Sequence, residues 1–270
     1  EQSAPKGGVE NVFYGFGAGK VTIVDPANGK VVKTLTNGLE KAVFNDAVAP
    51  HDNKTLFLNN SGENQVVVID TMKQEVVKKI DVGPRPVHIY NPKGDEIWTH
   101  SDGEGAFYII DGKTLEVKGR VVAAAKNTGH GKLLYNAALG DKAYATNTND
   151  PAVYVIDMAN RKVTASIDLC EGKGGTHGKA FSALSKHAYF ECGAIGKTAV
   201  VDTTTDKLVG YLEGSGQIFG SPDDKYALII DKKNGSLNVI DPSKGSTITT
   251  KIPVPGGPDQ LFYHATKDGK

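Results

Sequence analysis

The sequence predicts an all-β fold, a six-bladed β-propeller, because one short pattern recurs six times at a nearly constant spacing. In each repeat a run of β-branched or aromatic residues ends in an aspartate. The six aspartates are Asp25, Asp70, Asp111, Asp157, Asp202 and Asp241. The intervals between them are 45, 41, 46, 45 and 39 residues. A period of this length, with several strands in each unit, is typical of β-propellers.

The third repeat shows the four strands that each unit is expected to contain. Strands are predicted over residues 87–90, 96–100, 108–111 and 116–121, with Gly, Pro, Asn or Asp at the turns between them. Alternating β-formers separated by such turn residues favour an antiparallel meander. We expect the repeated aspartates to be structural, since a carboxylate after a strand accepts N–H groups of the next turn.

Each repeat also carries an aromatic residue on its second strand, 12 to 15 residues before the aspartate. These residues are Phe13, Phe57, Trp98, Tyr144, Tyr189 and Tyr226. Large rings at equivalent positions of a repeat bury much apolar area between neighbouring sheets. We therefore predict that all six are core residues.

The two ends of the chain are predicted to complete one blade together and so close the ring. Residues 11–16 have the pattern of a second strand and residues 259–264 that of an inner strand, so the terminal blade combines residues near 258–266 with residues near 10–36. Closure removes the unpaired sheet edges. We expect residues 1–8 to form a flexible lead and residues 9–270 to form a single propeller domain.

Composition narrows the classes of partner. Lys and Arg together number 31, as do Asp and Glu, so no excess of charge favours nucleic acid or an anionic membrane. No apolar run reaches the roughly 18–20 residues that span a bilayer. The polar start of the chain is of the kind found in processed, exported proteins. We expect a periplasmic or secreted monomer.

Residues 66–83, VVVIDTMKQEVVKKIDVG, are close to the repeat of the YVTN-type propeller family, and residues 83–98 continue the match. The chain resembles that family over nearly its whole length. The resemblance implies the propeller fold, but it implies little about activity, because such propellers serve as enzymes, binders and scaffolds.

Three of the seven histidines are predicted to lie at the mouth of the ring. His88, His130 and His177 stand at or just before the inner strands of consecutive repeats, and the last two share the tripeptide His-Gly-Lys. Imidazoles that converge on one axis provide ligands for Zn²⁺ or Cu²⁺. Asp259 or Glu40 is a candidate further ligand. The alternative is that these histidines only bond to loop carbonyl groups.

His100 is an outlying candidate. It is predicted to lie on the same face of the propeller as the mouth histidines, the face that carries the longer loops and is called the loop-rich side here. Cationic side chains at the mouth, Arg85, Lys132 and Lys179, suggest instead a pocket for an anionic ligand, because they supply directed donors.

The two cysteines, Cys170 and Cys192, fall at the loop-rich end of one repeat. A disulfide is the favoured interpretation, because it would hold the His177 loop to its own blade. The alternatives are a thiolate metal ligand and a pair of free buried thiols.

Residues 168–195 are similar to the periplasmic zinc-chaperone propellers that accompany the binding proteins of metal transporters. The similarity lies in the order Cys, His-Gly-x-Ala, Phe-x-Cys-Gly, although Lys179 stands where that family has an acidic residue. It implies bridged cysteines, a histidine near a metal and a transporter binding protein as partner.

Three functional hypotheses follow. The leading one is a non-enzymatic exported protein that holds zinc or copper for storage or delivery. The second is an enzyme, a lyase or a copper oxidoreductase, that uses the same histidines. The third is a metal-free scaffold that binds a protein or an anionic ligand.

Overall fold

The computed structural model describes residues 11–50 and 52–261. The chain forms two compact units, the first ending at Val122 and the second beginning at Ala123.

Three antiparallel sheets make up the described part of the first unit. The first sheet consists of β1 (Phe13–Gly17), β2 (Lys20–Asp25) and β3 (Lys30–Leu35). The second consists of β4 (Phe44–Val48), β5 (Thr55–Asn60), β6 (Gln65–Asp70) and β7 (Glu75–Asp81). The third consists of β8 (Pro86–Lys93), β9 (Glu96–Ser101), β10 (Ala106–Asp111) and β11 (Glu116–Val122).

The described part of the second unit contains three four-stranded antiparallel sheets. Its first sheet consists of β12 (Leu133–Leu134), β13 (Lys142–Ala145), β14 (Ala152–Asp157) and β15 (Lys162–Asp168). The next consists of β16 (Thr176–Ser182), β17 (His187–Cys192), β18 (Lys197–Asp202) and β19 (Lys207–Glu213). The last consists of β20 (Ile218–Gly220), β21 (Ala227–Asp231), β22 (Ser236–Asp241) and β23 (Thr247–Pro253). Short 3₁₀ helices cover Ala137–Leu139, Gly193–Ile195 and Pro242–Lys244.

The predicted all-β class and the repeating meander are confirmed. In every sheet the strands pair in chain order, as the third repeat predicted. Within the described residues the structure has six antiparallel sheets of three or four strands, which is consistent with a β-propeller. No helix among these residues is long and apolar enough to cross a membrane. The predicted lead, residues 1–8, and the segment beyond 261 lie outside the described residues.

The six repeated aspartates have the predicted structural role. Each accepts at least one backbone N–H from the turn that follows its strand. For Asp111 the donors are the N–H groups of Lys113 and Thr114, and these bonds lower the pKa of the carboxyl group below its usual range. The repeat therefore marks a turn, and these carboxylates are committed to the backbone.

Four of the six aromatic residues are buried as predicted. Phe57, Trp98, Tyr144 and Tyr189 are all 0% exposed. Burying an aromatic side chain removes some 150–250 Å² from water, so these rings supply a large part of each core.

The prediction is wrong for Phe13 and Tyr226, which are 67% and 49% exposed. Successive strand residues face opposite sides of a sheet, and on β1 it is Tyr14 that packs against the core formed around Leu39 and Leu58. Tyr226 precedes the first residue of β21, and Ala227 enters the core instead.

Candidate functional site

In three of the sheets, the first strand carries the same irregularity near its beginning. On β4, β8 and β16 the register slips by one residue, because three steps on the first strand match two steps on its neighbour. The bulges contain Asp46, His88 and His177, respectively. A β-bulge bends its strand and redirects a side chain, and bulges are frequent beside functional sites.

The disulfide predicted between Cys170 and Cys192 is confirmed, with the two Cα atoms 5.3 Å apart. Cys192 ends β17 and pairs across the sheet with Thr176, the residue before His177. Both cysteines are fully buried in a core cluster that includes Tyr144 and Phe190. The bridge therefore joins the loop that enters β16 to the strand beside it, and excludes both thiolates as metal ligands.

His177 is held by two polar side chains, Glu191 on the neighbouring strand β17 and Gln217 directly before β20. Its Nδ1 lies 2.9 Å from Nε2 of Gln217 and 3.7 Å from Oε2 of Glu191. The same Glu191 oxygen accepts the backbone N–H of Gly178 at 2.8 Å. Burial alone would raise the pKa of Glu191, but its contacts with His177 and Gly178 outweigh that effect and lower it.

The hydrogen bonds of Gln217 determine the tautomer of a neutral His177. Oε1 of Gln217 accepts a bond of 3.2 Å from the ammonium group of Lys132, so the amide nitrogen faces His177 and donates to Nδ1. The ring proton of His177 is then on Nε2. That atom is buried and has no hydrogen-bond partner among the described residues. Leaving a buried donor unsatisfied costs about 1–3 kcal/mol, so Nε2 is the ring atom that a ligand could stabilise.

His130 lies beside His177, with their ring centres 5.2 Å apart and the ring planes inclined by 45°. It stands in the loop before β12, where its carbonyl oxygen accepts the N–H of Thr148 at 2.9 Å. The rings of the two histidines of the His-Gly-Lys tripeptides therefore lie side by side.

Glycines permit this close approach of loops. A Cβ on Gly178 would lie 2.3 Å from the carbonyl oxygen of Gly216, and one on Gly175 would lie 2.0 Å from that of Thr148. These distances are shorter than any real Cβ contact, so both positions require glycine to let His177 reach its neighbours.

Lys132 and Lys179 line a cavity of about 600 Å³ in the second unit. Lys132 precedes β12, and Lys179 lies on β16 two residues after His177. Burial, together with the nearby charge of Lys132, lowers the pKa of Lys179 to about 8. Burial also lowers the pKa of Lys132, although Glu191 opposes the shift.

Asp259, a predicted ligand, lines a second cavity of about 360 Å³ together with His177 and Glu191. Its carboxylate pairs with the ammonium group of Lys232, and its side chain is 82% exposed. The structure thus brings Asp259 to the wall of the cavity that His177 borders.

The remaining predicted site residues lie in the first unit. Nδ1 of His88 is 3.2 Å from Oδ2 of Asp46, which also accepts the N–H of Ile89. His100 is nearly fully buried, with its Nδ1 2.8 Å from Oδ1 of Asp102 and its ring against Phe107.

Two further predicted residues of that unit take part in turns. Arg85 is exposed and has a positive φ of 54°, and its N–H donates to Asn64. Glu40 accepts the N–H of Gly38 within its own turn.

Residues 11–50 and 52–261 contain no group of three or more His, Cys, Asp or Glu side chains that is arranged to hold a metal ion. Glu191 and Gln217 are the contacts of His177 that the sequence did not identify. A signal for Glu191 exists, because it precedes Cys192 and so lies opposite the His-Gly pair in a hairpin tied by the disulfide. Gln217 directly precedes the first strand of the next sheet, and no local pattern pairs it with His177.

No protein-family model matches the chain. Among solved structures, the chain is similar to the hydrazine synthase of Kuenenia stuttgartiensis, at 17% identity with a TM-score of 0.64, over 89% of this chain and 82% of that one. It is also similar to a chain of the mitotic checkpoint complex, at 15% identity and a TM-score of 0.67, over 87% and 72% of the two chains. For the computationally designed Ika8 protein the identity is 14% and the TM-score 0.67, over 88% and 70%.

At such low identity these likenesses describe the fold alone. Together with the six antiparallel sheets, they define the class of this protein as all-β and propeller-like. Its function has to be argued from its own residues, because one fold of this type serves many functions.

Proposed function

We propose that this is an exported β-propeller that binds a transition metal, zinc or copper, through His130 and His177, for storage or delivery. The separation of the two rings carries the proposal. An ion held about 2.1 Å from one nitrogen of each ring, at a tetrahedral angle, would place the ring centres about 5.3 Å apart. The observed separation is 5.2 Å.

The unpartnered Nε2 of His177 supports the same proposal. A metal ion binds a ring nitrogen that carries no proton, so binding at Nε2 would move the proton to Nδ1, and the Gln217 amide that donates to Nδ1 in this structure would have to turn away. Glu191 is 3.7 Å from Nδ1 and can accept that proton in a hydrogen bond after a small shift. A carboxylate behind a ligating histidine orients the ring and makes it a better donor to the metal.

The surroundings favour binding over turnover. Glu191 and Gln217 are both engaged in holding His177, and Glu191 also accepts the N–H of Gly178. These groups position a ligand, which suits storage or delivery. The enzyme hypothesis from the sequence remains the alternative, since an open coordination position and a nearby acid or base would favour catalysis.

Export and a delivery partner form part of the proposal. The Cys170–Cys192 disulfide supports a periplasmic or secreted location, because disulfides persist in oxidising compartments. The resemblance of residues 168–195 to zinc-chaperone propellers supports a transporter binding protein as the partner of a monomer.

We also propose that the six sheets are six blades and that residues near 258–266 complete the first of them. The first sheet has three strands among the described residues, whereas the other five have four. Deleting residues 259–270 is expected to abolish a single cooperative unfolding transition, as an open ring exposes sheet edges. An unchanged transition in circular dichroism would contradict closure by this segment.

Calorimetric titration with Zn²⁺ and with Cu²⁺ tests the metal site. We expect His130→Ala and His177→Ala each to weaken binding at least about tenfold, since loss even of an orienting neighbour typically costs 10- to 100-fold. His187→Ala is the matched control. His187 begins β17, at the end of the strand away from His177, and its Nδ1 bonds to the hydroxyl group of Ser246. Variants at His88 and Asp259 test the remaining predicted ligands.

Protonation provides a second criterion. Imidazole must be neutral to bind a metal, so affinity should fall as the pH drops through about 6.5. Equal affinity in wild type and both histidine variants, without dependence on pH, would show that the pair binds no metal.

A further inference from the structure

We propose that the cavity lined by Lys132 and Lys179 binds a small organic dianion, whose carboxylate or phosphate groups lie between the two ammonium groups. The cavity has a volume of about 600 Å³, in the range of small-molecule sites. The site uses residues other than the histidine pair and goes beyond the proposed metal binding.

The two lysines reach the cavity from adjacent sheets of the second unit. Lys132 is the last residue before β12, and Lys179 lies in the middle of β16. Asn136 and Gln217 also line the cavity and offer amide groups to a ligand. All four side chains can donate hydrogen bonds, which is the chemistry that an anion requires.

Neither ammonium group of this cavity forms an ion pair among the described residues. Among the described residues no hydrogen bond or ion pair of the Lys179 amine is found, and the amine of Lys132 binds the neutral amide of Gln217. The acidic groups nearby are Asp224 and Glu191. Asp224 lines the cavity, but its Oδ2 accepts the N–H of Leu184 at 2.6 Å, and Glu191 is committed to His177 and Gly178.

Two like charges in a partly desolvated space repel each other. A dianion would offset this repulsion. Groups that destabilise a fold in this way are typical of binding sites, where stability is lost for function.

Thermal unfolding with added anions tests the proposal. Succinate and inorganic phosphate at 10–20 mM serve as probes (~10 mM being ample for a site of millimolar affinity or better), and sodium chloride of equal ionic strength controls for screening. We expect at least one of the two dianions to raise the melting temperature of the wild-type protein by several degrees. Sodium chloride of equal ionic strength should cause no such rise. Comparing the two probes separates carboxylate from phosphate preference.

Variants make the test specific. Without anion, the Lys179→Met and Lys132→Met variants should have a higher melting temperature than wild type, because each substitution removes one of two positive charges that repel each other. With anion, neither should show the rise. Lys162→Met is the matched control, since Lys162 is exposed at the start of β15 and should leave both values unchanged.

Three results would overturn the proposal. These are no rise with either dianion, an equal rise in wild type and Lys179→Met, or a lower melting temperature of both cavity variants without anion. His177→Ala should keep the anion effect, so failure of the metal proposal and failure of this one can be told apart.

Discussion

Breaking the Cys170–Cys192 disulfide should cost stability by an amount that follows from the length of the loop it closes. The two cysteines are 22 residues apart. For a loop of this length, the lost entropy of the unfolded chain corresponds to about 3.4 kcal/mol at 25 °C. At about 2–4 °C per kcal/mol for a domain of this size, the melting temperature should fall by roughly 7–14 °C.

Two perturbations separate the cross-link from the packing of the sulfur atoms. Reduction of wild type keeps both sulfur atoms in the core, so the change between oxidised and reduced protein reports the cross-link alone. Cys170→Ala with Cys192→Ala also removes buried volume beside Tyr144 and Phe190, and should therefore cost more than reduction. Urea unfolding followed by circular dichroism measures both differences.

The bridge should also matter for the histidine site, because Cys192 pairs with Thr176 directly before His177. We expect the reduced protein, still folded at 25 °C, to bind the proposed metal more weakly than the oxidised protein. Equal stability of the oxidised and reduced proteins would refute the entropy argument. Equal metal affinity would refute the idea that the bridge positions His177.

Two further predictions concern Gly178 and Lys179, which follow His177 on β16. Gly178→Ala should destabilise the protein by about 1–3 kcal/mol and weaken metal binding, because its Cβ would lie 2.3 Å from the Gly216 oxygen. Gly210→Ala, with no atom within 4 Å of its Cβ, is the control, and similar losses in both variants would contradict the steric reason. Lys179 has a folded pKa of about 8, below its ordinary 10.5, so the folded protein favours the neutral amine. Above pH 10.5 the amine is neutral in both the folded and the unfolded protein, so it does not lower the free energy of unfolding. As the pH falls from 10.5 through 8, protonation of the buried amine lowers the free energy of unfolding. The advantage of Lys179→Met over wild type, measured by urea unfolding, should therefore be largest below pH 8 and vanish near pH 10.5. An advantage that does not change over this interval would be the contrary result.

The repeat in the sequence was sufficient to predict the strands and turns. Each aspartate acts through a turn only two or three residues away, as Asp111 does with Lys113 and Thr114, so local order along the chain decides it. The disulfide could be predicted for a similar reason, since both cysteines fall at one end of one hairpin. The failure at Phe13 shows the limit, because a shift of one residue along a strand reverses the face on which a side chain lies.

The candidate site divides between the two levels. The sequence by itself determined which residue types recur at the start of the first strands, and so predicted that His130, His177, Lys132 and Lys179 lie at one end of their sheets. Only the tertiary structure decided their contacts. The bulge on β16 aims His177, Glu191 reaches it across the hairpin, and Gln217 reaches it from the next sheet. Such contacts join residues 14 and 40 positions away from His177, so they depend on strand register and on the packing of neighbouring sheets, neither of which a local pattern encodes.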